Sequence, residues 1–222
     1  MVDASRVGRP LGRPKDTDST ETRRRILDVA RAAFAAGGYD ASTNRDLAAH
    51  VGITAGALYY YYPSKLDLYL AVHDDVQRRV YFRFNEAAVG ASGFLRKFDA
   101  ILDVARELNQ SDPTFAAFIG ATRADMRRHP EIAASLSGHA EQRDDFFVRL
   151  IDAGVETGEI EAENREFMVE FVSIILIGLT DGVSDDPERH QRAITSIKMA
   201  LRGSLVTPPP PEPPPAPAPV SR

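Results

Sequence analysis

Between residues 21 and 206 apolar positions recur at intervals of three and four. Runs of alternating β-branched residues are missing, as are Asn-Gly and Asp-Gly hairpin signals, so the pattern predicts an all-α fold. Ile26, Val29, Ala30, Ala33 and Phe34 form one stripe of a helix over about 21–37, which stops at Gly37-Gly38. Thr43, with Asp46 three residues on, has the capping-box spacing and opens a short helix over about 44–51, ended by Gly52. A third helix starts at or just after Thr54. Only the residues Gly-Ile-Thr join these two helices, which is the helix-turn-helix pattern. Pro63 closes the third helix, and Ser64 with Asp67 caps a fourth over about 65–84. Longer helices follow over roughly 92–110, 113–128, 131–157, 163–182 and 187–206, with breaks at Gly90, Asp112-Pro113, His129-Pro130, Gly158 and Asp186-Pro187.

Composition changes this picture at the two ends. Residues 1–20 are rich in Gly, Pro, Ser, Asp and Arg without periodicity and read as a flexible arm. Residues 207–222 belong to a Pro-rich tail in which nine of the chain's fifteen prolines fall, a disordered polyproline-type segment. The opening residues lack the apolar core of a secretory signal, so a cytoplasmic protein is expected. The longest apolar run, 167–179, is 13 residues, carries Glu170 and falls short of the ~20 a membrane span needs. The absence of cysteine excludes disulfides, thiolate catalysis and Cys-based metal sites.

The net charge of −5 hides an asymmetry. Residues 1–65 carry ten Arg or Lys against seven Asp or Glu, so a basic head sits on an acidic body. Arg6, Arg9, Arg13, Lys15, Arg23, Arg24 and Arg25 all precede the first helix or lie in its first turns, the footprint of a polyanion-binding module.

The run Tyr59-Tyr60-Tyr61-Tyr62 falls in the third helix of that module. Each helical residue turns ~100° from the last, so four adjacent rings must face four different things. Leu58 and Tyr62 share the stripe that packs on the first two helices. Gly56 and Tyr60 lie opposite, and Tyr59 and Tyr61 flank that outward stripe where an inserted helix passes two phosphate backbones. Ala55, Gly56 and Ala57 let the start of the helix approach another surface, as a major groove about 12 Å wide admits a helix. Arg45 reaches a phosphate or a guanine edge, and Lys65 adds a backbone contact. Each tyrosine taken alone also fits the edge of a core; the combination with the capped second helix, the Gly turn and the basic arm favours nucleic acid.

Residues 22–72 resemble the TetR family of bacterial transcriptional regulators. The match includes the stripe ending FAAGGY, the TNRDLA opening of the second helix, VGIT at the turn, and Leu-Tyr followed by Pro-Ser-Lys. The resemblance implies an N-terminal three-helix DNA-binding domain over 21–67 and a helical effector-binding and dimerisation domain over 68–206. It implies backbone contacts from Thr43 and Asn44, a base or phosphate contact from Arg45, phosphate contacts from Tyr59 and Lys65, and a base or sugar contact from Tyr60. Tyr61 stands where many members have histidine, and Tyr62 where they commonly have phenylalanine. The arm's repeated Gly-Arg-Pro, at 8–10 and 12–14, resembles an AT-hook core, but Val7 and Leu11 stand where that core wants arginine. A basic arm adding non-specific phosphate attraction is the favoured reading.

For the second half the expectation rests on pattern. The helix over 163–182 is apolar nearly all round and, with that over 187–206, is the candidate twofold interface of a homodimer, through Phe171, Ile174, Ile175, Gly178, Leu179, Ile194, Ile197 and Leu201. A pocket on the middle helices would be lined by Phe98, Leu102, Phe115, Phe118, Ile119 and Phe146, with Thr122, Arg123, His139 and Gln142 as orienting groups, and would suit a hydrophobic small-molecule effector. The implied mechanism is a ligand-driven tilt of the fourth helix that changes the spacing of two recognition helices on a palindromic operator. No cofactor, metal or catalytic residue is expected. A metal-dependent hydrolase is the weaker alternative, resting on His73-Asp74-Asp75, a dipeptide match close to chance. A sequence-indifferent architectural DNA binder is the other, disfavoured by the acidic body.

Overall fold

The computed structural model describes residues 15–205, and side chains over 19–137 and 145–205. No strand occurs among the described residues. The helices run α1 (Lys15–Gly37), α2 (Asn44–Val51), α3 (Ala55–Tyr61), α4 (Lys65–Ala88), α5 (Gly93–Ser111), α6 (Thr114–Arg128), α7 (Pro130–Glu156), α8 (Arg165–Ile177) and α9 (Pro187–Leu201). A 3₁₀ turn, Ala162–Asn164, precedes α8, and a π-helical turn, Gly178–Gly182, follows it. The two Gly-Arg-Pro segments and the Pro-rich tail lie outside the described residues.

Four expected boundaries move, one of them the end of α9, which stops at Leu201 rather than near residue 206. α1 begins at Lys15 rather than near residue 21, taking in the last part of the expected arm. α4 runs to Ala88 before Gly90 (φ 79°) turns the chain. The helix expected over 163–182 is broken into three pieces. Glycines stand at both ends of its last piece, and Thr180 returns its hydroxyl to Leu176 O at 2.8 Å, a back-bond that disturbs a regular α-ladder.

One buried apolar cluster runs from Ile26 and Phe34 on α1 through Leu47, Leu58, Leu68 and Tyr69 to Ile101, Ile151 and Ile194. The boundary expected at 67–68 falls in the first turn of α4, and the cluster is continuous across it. α1 packs on α6, and it also meets α2 and α4. α5 packs against α4, α7 and α9, while α6 touches the π turn. Thus α6 contacts both the head of the molecule and the segment after α8.

Candidate nucleic-acid interface and internal cavity

Hydroxyl caps build the head. Thr43 Oγ1 accepts from Asp46 N at 3.2 Å and donates to Asp46 Oδ2 at 2.6 Å, and that bond holds the Asp46 carboxyl below its ordinary pKa. Gly52 takes the left-handed conformation (φ 78°) that ends α2, and Ile53 N bonds back to Ala48 O. Thr54 Oγ1 accepts from Ala57 N at 3.1 Å and starts α3 only two residues later. Ser64 and Asp67 repeat the device at α4.

This frame fixes the tyrosines. Leu58 is fully buried, and Tyr62 is 5% exposed although it stands one residue past α3 in extended backbone. Its N–H still bonds Leu58 O at 2.9 Å, which keeps it on the inner side, and burial raises its phenol pKa. Tyr60 is 84% exposed and Tyr59 51%. Tyr61 is half-buried, edge-on to Tyr60 at 5.5 Å. The Arg23 guanidinium lies 5.7 Å from the Tyr61 ring and 5.5 Å from the Tyr62 ring, within cation–π range. Gly56 is exposed, and a Cβ there would meet nothing nearer than Thr54 Oγ1 at 3.9 Å. Its smallness therefore serves nothing inside the protein.

The other expected contacts divide. Thr43 and Arg45 are exposed, and Ala55 is half-buried. Asn44 is only 8% exposed, with Oδ1 unbonded within the protein. The Lys65 ammonium donates to Tyr39 O at 2.8 Å and Ser42 O at 3.2 Å and lies 4.1 Å over the Tyr39 ring. Two of its three N–H groups thus tie down the α1–α2 loop.

Nothing in the apolar periodicity reveals the polar clamp between α1 and α6. Arg31, 5% exposed, donates to Asp112 Oδ2 (2.6 Å), Thr114 Oγ1 (2.8 Å) and Asp28 Oδ1 (2.9 Å), and lies 4.0 Å over the Phe115 ring. At the other end of α6, Asp125 is 1% exposed and its Oδ2 accepts from Tyr39 N (3.0 Å) and Tyr69 OH (2.9 Å). Burial pushes the Tyr69 phenol well above its ordinary pKa, so it stays a donor. Gly38 (φ 73°) lies against this carboxylate, and a Cβ there would come within 3.0 Å of Asp125 Oδ1.

Between α4, α5, α6 and the C-terminal helices lies a mainly apolar cavity of about 110 Å³. Of the expected pocket residues it takes Phe115, Ile119 and Arg123. Phe98, Leu102, Phe118, Thr122 and Phe146 are instead plain core: Phe98 stacks on Phe94 at 5.2 Å, Thr122 donates to Phe118 O, and Phe146 packs edge-on to Phe147 at 5.0 Å. The side chains of His139 and Gln142 lie outside the described residues. Sequence reading missed Val80, Tyr81, Phe84, Asn109, Leu176 and His190, all of which line the cavity together with Phe147. Asn109 is 1% exposed with neither Oδ1 nor Nδ2 bonded, and His190 is 2% exposed with Nδ1 unbonded. Each such buried group costs about 1–3 kcal/mol. The Arg123 guanidinium bonds Thr180 Oγ1 and pairs with Asp181 Oδ1 at 2.5 Å, which pins the π turn to α6. A Cβ on Gly120 would lie 2.7 Å from Thr180 O, so these backbones touch.

The expected dimer face is also corrected in part. Phe171, Ile174 and Gly178 are exposed, and Ile175, Ile197 and Leu201 are half-buried. Leu179 lines the cavity and Ile194 is 1% exposed, so both belong to the protomer's interior. Phe167 and Ile177 join the exposed face, Phe167 at 73% and Ile174 at 67% exposure.

Asp75 is held by Arg78 at 2.5 Å and Arg79 at 2.8 Å, and His73 Nε2 lies 3.1 Å from Gln77 Nε2. Among the described residues no group of three or more His, Asp or Glu is spaced to hold a metal, and no helix is long and apolar enough to cross a membrane.

Comparison with known proteins bears on the head and on the whole chain. The model for bacterial regulatory proteins of the tetR family matches residues 26–72. The HTH-type transcriptional regulator UidR of Escherichia coli K12 is 27% identical over 177 residues, 80% of this chain and 87% of that protein. The HTH-type transcriptional repressor AcnR of Corynebacterium jeikeium is 34% identical over 110 residues, 46% of this chain and 58% of its own. Among solved structures, Salmonella enterica GusR superposes with a TM-score of 0.67 at 23% identity, covering 89% of this chain and 99% of that one. The fatty acid degradation regulator FadR from Bacillus halodurans gives 0.71 at 16% identity, covering 82% and 99%.

Proposed function

From the premise that this chain belongs to the TetR family of transcriptional regulators, with the family's DNA-binding helix-turn-helix, we propose that it is a repressor. In this reading it binds a palindromic operator as a homodimer and releases it when a hydrophobic small molecule occupies the cavity. The observation that carries the DNA reading is the outward face of α3, where Gly56 and the exposed Tyr59 and Tyr60 stand together outside the buried core. A helix with a bare start and a ring-bearing flank suits a major groove. Thr43 and Arg45 at the start of α2, and Tyr61 and Lys65 beyond α3, are assigned to the flanking phosphates. Lys65 does this from a side chain already anchored to the α1–α2 loop. A DNA-bound regulator works in the cytoplasm. Repression is favoured over activation because the relatives named for an outcome, such as AcnR, are named repressors.

Dimerisation is supported by the apolar face of α8, because Phe167, Phe171, Ile174 and Ile177 would otherwise leave a contiguous patch in water. Release is supported by α6, which carries cavity residues on one side and the clamp to α1 on the other. A ligand that displaces the π turn would therefore move the head. Light scattering should give twice the 24.4 kDa chain mass for the wild type. Ile174→Glu should give the single mass and lose at least 10-fold in affinity for a selected operator. A monomer that binds as tightly as the wild type would overturn the proposal.

A further inference from the structure

The cavity is apolar, yet Asn109 buries a whole carboxamide in its wall with neither atom bonded to protein. His190 adds an unbonded Nδ1. The two stand on the seam where α5 meets α9, since the next residues on, Gln110 and Gln191, are hydrogen-bonded at 3.1 Å. Buried polar groups elsewhere, such as Asp125, find partners, and Asn44 Oδ1, at the start of α2 and away from this cavity, does not. Unpaired donors and acceptors concentrated in one cavity wall are groups shaped for a visitor.

Resting on the effector reading above, we infer that Asn109 and His190 form the polar end of the effector site and select an uncharged head group that both donates and accepts a hydrogen bond, such as a carboxamide or hydroxyl, on an apolar body. Asn109 offers one acceptor and two donors at fixed spacing, the complement of such a group. Charge is disfavoured by the surroundings. The lining holds no carboxylate, and its cation, Arg123, is neutralised by Asp181. Burial lowers the pKa of His190, which keeps its ring neutral. An ion brought into this wall would lose its hydration and find no counter-charge. The rest of the cavity wall suits an apolar body, since Val80, Phe84, Leu108, Phe115, Ile119 and Leu179 line it.

The test uses four probes of one chain length: octanamide, 1-octanol, octanoate and octylamine. Isothermal titration with the full chain should show the amide and alcohol binding and the two ions at least 10-fold weaker. Asn109→Leu, nearly the same shape, should lower octanamide affinity at least 10-fold while raising the melting temperature, because unsatisfied polar atoms are removed. Should that variant misfold, the side-chain amide resonances of ¹⁵N-asparagine-labelled wild type should shift on adding octanamide. Octanoate binding as tightly as octanamide would overturn the inference, as would an Asn109→Leu protein that holds octanamide unchanged, or no binding of any probe. Operator release is followed in parallel by fluorescence anisotropy. Octanoate that binds and releases DNA leaves the effector reading standing and sinks this one. Octanamide that binds at Asn109 without releasing DNA does the reverse.

Discussion

Four adjacent tyrosines with four environments are the simplest place to see chemistry set by angle. Tyr62→Ala should cost about 3 kcal/mol in urea denaturation, as for other large-to-small aromatic changes in a core. Tyr60→Ala should leave stability within about 0.5 kcal/mol of the wild type, because the ring is solvated, and should alter which sequences are bound. Gly56 gives a cleaner separation. A Cβ there meets open space in the free protein, so Gly56→Leu should fold normally and bind DNA at least tenfold more weakly. Normal binding by that variant would remove α3 from the groove. His190 supplies a pH signature. Its folded pKa lies below the ordinary value of about 6.5, so the unfolded chain takes the proton first. Stability should therefore be complete above pH 6.5 and fall as the pH drops below it. His190→Gln should flatten that part of the melting curve.

Elements were legible in the sequence wherever their ends are made by local chemistry. Thr43 with Asp46, Gly52, Thr54 and Ser64 with Asp67 announce caps that the structure forms within a residue or two. What the pattern could not separate is a core stripe from a cavity wall, since Phe98 and Phe115 both sit at helical spacing and differ only in what faces them. The polar exceptions on such stripes, Asn109 and His190, were the available signal. The clamp on α6 was hidden for another reason: Arg31 and Asp112 are 81 positions apart, and no periodicity reports a long-range ion pair. Asp125→Ala should strip the acceptor from Tyr39 N and leave Tyr69 OH only Thr122 Oγ1, costing about 1–3 kcal/mol for each donor left unsatisfied. Hydrogen exchange at the Tyr39 amide should quicken in that variant more than exchange in α9.

At the scale of the whole molecule, a basic head on an acidic body suits a protein that holds DNA at one end and must not wrap it. α4 runs unbroken from Lys65 at the edge of the head to Ala88, and α8 presents an exposed apolar face in the second half of the molecule. In the proposed dimer two heads related by a twofold axis would meet two half-sites at a set spacing, and specificity would belong to the pair rather than to either α3 alone. The deciding measurement is a selection of binding sites from random duplex DNA by the wild-type full chain. It should enrich an inverted repeat whose half-sites lie about one helical turn apart or a multiple of it. Enrichment of no motif, with every sequence retained equally, would contradict a sequence-specific dimer.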